Sequence, residues 1–261
     1  MIDALAADDP VVEWDGRKLD WRPRFDPRSL AFRAAAGVKD LPTTGRLWRH
    51  GNVLDQGAEG ACVGFGCVGD LGAEPVPIPD LNDAYAFGFY NRAQQLDEWP
   101  GEAYEGTSVL AGCLTGRERG FWTGFTWAKS AEELAAGIVR TARAGGGPAV
   151  IGVEWRSDSY DTDDLGVLRA TGSVVGGHCL LVIGFIPKAP TQTMRAQLEG
   201  VQLLDGFDSI KTAAFVVLNS WGPSFGKHGL ALVPVDVMRG WSRAGAEFAL
   251  PQGRTGAEPA R

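Results

Sequence analysis

The run Gly145-Gly146-Gly147-Pro148 divides the chain into two stretches of different periodicity, and this division limits the folds available to it. Three glycines and a proline stop a helix and cannot continue one. Before the run, Gly60 to about Leu71, Asp83 to Gln95, a segment capped by Thr107 or Ser108 through about Arg117, and Ser130 to about Arg143 all read as helices. Ser130-Ala131-Glu132-Glu133 has capping-box spacing. After the run come short β-rich stretches separated by turn residues: Ala149–Trp155, Gly177–Phe185, Ala213–Asn219, Gly229–Val233 and Glu247–Leu250. Helices followed by strands predict an α+β fold of two lobes, with an antiparallel sheet or barrel second and a ligand cleft between them.

This order sets the expected organisation. Residues 1–45 form an arm packed on the body, 46–147 a helical lobe, 148–250 a β-rich lobe, and 251–261 a mobile polar tail. Residues 187–212 read as an excursion from the sheet, and no internal repeat is present. With 261 residues, 44% of them hydrophobic, the chain is long enough to bury a sizeable core.

Lys and Arg number 25 against 32 Asp and Glu, a net charge of −7 with no basic run. That balance argues against nucleic acid or an anionic membrane as the partner. The acidic N-terminus lacks the basic and apolar regions of a signal peptide, and no stretch of about 18 apolar residues occurs. Four cysteines at 62, 67, 113 and 179 form no C-x-x-C pair, and the only histidines are His50, His178 and His228. A structural zinc site is not expected, nor is a cofactor; the cysteines read as reduced thiols in a cytoplasmic protein.

The residues able to do chemistry are few. Cys62 opens a predicted helix six positions after Gln56, and a helix N-terminus with its unpaired N–H groups stabilises a thiolate and cradles an oxyanion. Gly64, Gly66 and Gly69 cost this helix about 1 kcal/mol each relative to alanine, a conflict typical of functional or closely packed sites. His178 begins a strand beside two glycines, sharing a face with Leu180 and Val182 while Cys179, Leu181 and Ile183 take the other. Asn219 ends an apolar strand, with Trp221 placed to cover an amide hydrogen bond. Nucleophile, base, orienting group and oxyanion donor are thus each represented once. Taken singly, each has a plainer structural reading: a buried thiol, a strand histidine, a strand-end turn former.

As an ordered set, Asp55-Gln56-Gly57, Gly60-Ala61-Cys62, Gly177-His178 and Asn219-Ser220-Trp221-Gly222, then Phe225-Gly226 and Gly229, resemble the papain-like cysteine peptidases over about residues 50–235. The base lies 178 − 62 = 116 residues and the amide 219 − 62 = 157 residues beyond the cysteine, near the family's roughly 130–150. Tyr104-Glu105-Gly106-Thr107-Ser108-Val109 is similar to the bacterial and phage-encoded branch. The resemblance implies Cys62 as nucleophile, His178 as its ion-pair partner and general acid, and Asn219 as orienter. It further implies Trp221 as shield, an oxyanion hole from Gln56 and the Cys62 N–H, and substrate contacts at Gly106, Gly177 and Trp221. The expected partner is a peptide or protein substrate, with no metal.

Departures from the family pattern also carry expectations. Glu59 stands where secreted members have a disulfide cysteine, and Val63 replaces the aromatic residue after the nucleophile. Gly177 leaves one wall of the non-primed cleft without a side chain, and 41 residues separate His178 from Asn219. The N-terminal arm is too short for the family's usual inhibitory prodomain. Two other functions share this scaffold: a non-catalytic binding or assembly protein, and an acyl transferase in which an amine replaces water. The sequence leaves the oligomeric state open.

Overall fold

The computed structural model describes residues 12–14, 17–19, 37–99 and 104–256. A short antiparallel pair, β1 (Val12–Trp14) and β2 (Arg17–Leu19), precedes β3 (Arg46–Leu47) and three helices, α1 (Cys62–Gly72), α2 (Asp83–Leu96) and α3 (Val109–Glu118). Then follow β4 (Gly124–Ala128), α4 (Ala131–Val139), β5 (Ala149–Arg156) and β6 (Val174–Ile186). The chain continues through α5 (Gln192–Gly200), α6 (Leu204–Ile210), β7 (Ala214–Leu218), β8 (Leu230–Pro234), α7 (Val235–Arg243) and β9 (Glu247–Gln252). Four helices start on side-chain caps: Asn82, Ser108, Ser130 and Thr191 each accept the N–H three residues on.

Every strand pairing in the main sheet is antiparallel, in the order β4-β9-β5-β6-β7-β8, with β3 on part of β6. The sheet is open, so the α+β expectation is met by a sheet rather than a barrel. Both faces are covered. Cys179, Leu181 and Ile183 pack with α1, α2 and α3, whereas Leu180, Val182 and Phe185 pack with α4 and α7. The two-face reading of β6 therefore holds through Ile183, and the register shift between Val182 and Gly184 turns Phe185 to the Leu180 face.

The expected boundaries shift in three places. β4 and α4, placed by sequence with the helical lobe, pack with the sheet, because Phe125 and Trp127 face one core while Leu134 and Ile138 fill the other. α4 stops at Val139 instead of near Arg143, since Arg140 is extended. The tail expected from residue 251 is tied down through its first residues: β9 runs to Gln252, and Arg254 forms a two-pronged ion pair with Asp70 of α1. The arm expected over residues 1–45 and residues 257–261 lie largely outside the described residues.

The glycines of α1 are explained by close approach. A Cβ on Gly64 would sit 2.6 Å from Tyr90 Cβ and 2.8 Å from the Ala86 carbonyl oxygen of α2. One on Gly66 would lie 3.0 Å from Cys179 Sγ of β6. The propensity cost is offset by helix packing that a methyl group would forbid. Gly64→Ala is accordingly expected to lower stability by about 1–3 kcal/mol despite its better helix propensity, read as a fall in Tm.

Candidate active site

α1 runs along β6, its residues ascending in the same direction as those of the strand. Gly69 packs on Leu181, and Gly66 one turn earlier packs on Cys179 and Leu180. Another four residues back is about 6 Å along a helix, or about two strand residues. Continued at that spacing, the Cys62 end of α1 would fall at about Gly177 and His178, which lie inside β6 and not at its start, Val174. Cys62 is the first residue of the helix, its N-cap Ala61 supplies no side-chain cap, and the first turn holds no acidic residue. The positive end of the helix dipole therefore lies at Cys62, with no carboxylate in the first turn.

His178 Nε2 lies 2.8 Å from Asn219 Oδ1, and both side chains are buried. The same Oδ1 accepts the backbone N–H of Ser220 at 2.8 Å, which identifies that atom as the amide oxygen. Nε2 therefore carries the proton and donates it. The neutral ring then has Nδ1 as its acceptor nitrogen.

Ser220 joins the Asn219 amide to Gln56. Its hydroxyl donates to Gln56 Oε1 at 2.6 Å, and its carbonyl accepts the Gln56 backbone N–H at 2.9 Å. Gln56 Nε2 donates one of its two protons to the Glu59 carbonyl at 2.8 Å. The Gly222 N–H donating to the Leu54 carbonyl, and a bridge between Asp55 and Trp221, complete the seam between these loops. Gln56, His178, Asn219 and Trp221 thus come together across long sequence separations. Ser220 stood inside the sequence motif without a role; the structure makes it the link between two of the predicted residues.

Aromatic rings enclose the imidazole. Trp221 lies 4.7 Å from it, tilted 33°, and contacts Phe225 and Tyr160 in turn. Burial raises the Tyr160 hydroxyl to a pKa of about 12. Trp155 of β5 also lies 4.7 Å from the imidazole, at 64°, and sequence reading assigned it nothing. Only the β5–β6 register, which pairs Val153 with His178, reveals its place.

Gly106 and Gly177 lie in two separate segments. The Gly106 N–H donates to the Tyr90 hydroxyl at 2.8 Å, with the backbone in the left-handed region at φ 84°. Gly177 lies in β6 opposite Glu154. β2 contacts a neighbour of each glycine. Leu19 is buried against Gly176, where a Cβ would come within 2.8 Å of it, and Lys18 forms an ion pair with Glu105.

Cys62, like the other three cysteines, is buried and unbridged. Burial pushes the thiols of Cys67, Cys113 and Cys179 well above their ordinary pKa. The described residues contain no cluster of metal-ligating side chains and no helix long and apolar enough to cross a membrane.

No protein-family model and no curated protein sequence matches this chain. Solved structures do. Xylellain, a cysteine protease from Xylella fastidiosa, superposes with a TM-score of 0.59 at 16% identity, covering 91% of this chain and 96% of that one. The recombinant stem bromelain precursor gives 0.53 at 13% identity, over 90% and 76%. Digestive procathepsin L 3 from Tenebrio molitor larval midgut gives 0.52 at 12%, over 85% and 74%. The fold is the papain-like one these cysteine proteases share.

Proposed function

We propose that the chain is a thiol peptidase that hydrolyses peptide bonds of a peptide or protein substrate. The observation that carries this reading is the buried Nε2–H···Oδ1 bond from His178 to Asn219, roofed by Trp221 and joined through Ser220 to Gln56. A base with its tautomer fixed, beside a helix N-terminus that begins with cysteine, is an arrangement for activating a sulfur nucleophile.

In this reading His178 Nδ1 takes the thiol proton, and the thiolate attacks the substrate carbonyl carbon to form a C–S bond. The negative charge passes to the carbonyl oxygen, which the Cys62 N–H and the remaining Nε2 proton of Gln56 receive. The tetrahedral adduct collapses as the C–N bond breaks, and the imidazolium gives its proton to the leaving amine. Water then attacks the thioester while Nδ1 takes its proton, releasing a carboxylic acid and restoring the thiol. Gly106 and Gly177 would contact the substrate backbone on either side. The reading extends to the bacterial and phage-encoded branch, which Tyr104–Val109 resembles in sequence.

The test is selective alkylation. Iodoacetamide at neutral pH is expected to modify Cys62 at least about tenfold faster than Cys67, Cys113 or Cys179, with loss of peptide cleavage in parallel. Mass spectrometry of tryptic peptides reads both the site and the rate. Equal rates at all four thiols in folded protein would overturn the assignment.

A further inference from the structure

We propose that Trp155 is a positioning residue for the His178 imidazole, a role that rests on the thiol-peptidase reading. The β5–β6 register sets Val153 opposite His178 and Trp155 opposite Gly176, so Trp155 and His178 are diagonal neighbours on one sheet face. The ring centroids of Trp155, His178 and Trp221 form a closed triangle. Each indole stands 4.7 Å from the imidazole, and the indoles stand 5.5 Å apart at 84°. Trp241 of α7 stacks on Trp155 at 6.4 Å and 24° without being one of the three. Trp155 and His178 are wholly buried.

The hydrogen bond to Asn219 fixes where one ring nitrogen sits, but a single bond leaves the ring plane to swing about it. The two indoles, one tilted over the imidazole and one set edgewise to it, block that swing from different directions. A swing displaces Nδ1 relative to the sulfur while leaving Nε2 in place. Misplacement of about 1 Å costs on the order of 10²-fold in rate, so a residue that touches no substrate still controls the proton transfer.

The experiment compares Trp155→Leu, Trp155→Phe and Trp241→Leu. In ¹⁵N-histidine protein, with the signal assigned through His178→Gln, solvent exchange of the His178 Nε2 proton is measured by NMR, and kcat and KM are measured on a peptide substrate. Trp155→Leu is expected to speed exchange and to lower kcat roughly 10- to 100-fold with KM within about twofold. Trp155→Phe retains a ring and is expected to fall between wild type and Trp155→Leu. Trp241→Leu removes the ring on Trp155 that does not touch His178, and is expected to lose stability while keeping wild-type exchange and kcat.

Unchanged exchange in Trp155→Leu, or equal changes in Trp241→Leu, would overturn the proposal. If Trp155→Leu does not fold, faster exchange in Trp155→Phe than in Trp241→Leu supports it, and no difference refutes it. Absence of turnover in wild type would instead strike the peptidase reading, while the exchange measurement still decides whether Trp155 restrains the ring.

Discussion

Replacing Cys62 by alanine is expected to reduce peptide cleavage by on the order of 10⁴- to 10⁶-fold, the range expected when a covalent nucleophile is deleted. Cys67, the next thiol in α1, is buried with its pKa pushed well up by desolvation, and Asp70 raises it further. Folding is expected to survive the change, because alanine is a better helix former and the substitution removes one sulfur atom. A thermal melt within about 1 kcal/mol of wild type would separate chemistry from stability. Cleavage that persists in the variant would mean that another group attacks. In wild type, the product should carry the mass of added water; an added amine would indicate acyl transfer.

Arg254→Met is expected to lower stability by about 3–5 kcal/mol, the cost of leaving one member of a buried ion pair alone. Asp70 is fully buried in α1, and Arg254 grips both its oxygens, Nη2 to Oδ1 at 2.6 Å and Nε to Oδ2 at 3.2 Å. The same guanidinium donates to the carbonyls of Pro148 and Pro251 at 2.9 and 2.8 Å. One side chain thus fastens the end of β9 and the beginning of β5 to the cysteine helix. At about 2–4 °C per kcal/mol the loss corresponds to a Tm lower by roughly 6–20 °C. Adding Asp70→Leu to the variant should restore most of it, since the penalty lies in the orphaned charge. A single variant as stable as wild type would contradict the argument.

The pH dependence of the Arg254→Met deficit has a definite sign. Burial already raises the Asp70 carboxyl, against the pull of Arg254. Without the guanidinium the folded-state pKa rises further above the ordinary value of 3.8. A raised folded pKa gives stability that is present below the unfolded pKa and lost as pH climbs through the folded one. The deficit is therefore expected to shrink on acidification, which denaturant titrations at several pH values would show.

Local chemistry was legible wherever the relevant neighbours are near in sequence. Ser108 and Ser130 announced helix starts, since a cap needs only the N–H three residues on. The alternation from His178 to Ile183 divided the strand's faces correctly because side-chain direction has a fixed period of two. What stayed hidden depends on distant partners. β4 pairs with β9, Thr126 opposite Leu250, so its strand character comes from a segment more than a hundred residues on. α7 starts directly after β8 at Val235, behind Pro234 as an N-cap without a side-chain acceptor, and gave no start signal. Trp155 became visible only through register, and Arg254, read as part of a loose polar tail, only through the carboxylate waiting for it in α1.

The position of β2 has a consequence for timing. Lys18 holds Glu105, next to Gly106, and Leu19 covers Gly176, next to Gly177, so two consecutive residues rest beside both glycines that a substrate backbone would use in the proposed reading. In the proposed reading, an incoming peptide competes with a tethered occupant whose local concentration does not fall on dilution. Turnover would then begin with a lag set by how often that occupant lifts, and the lag would not depend on enzyme concentration.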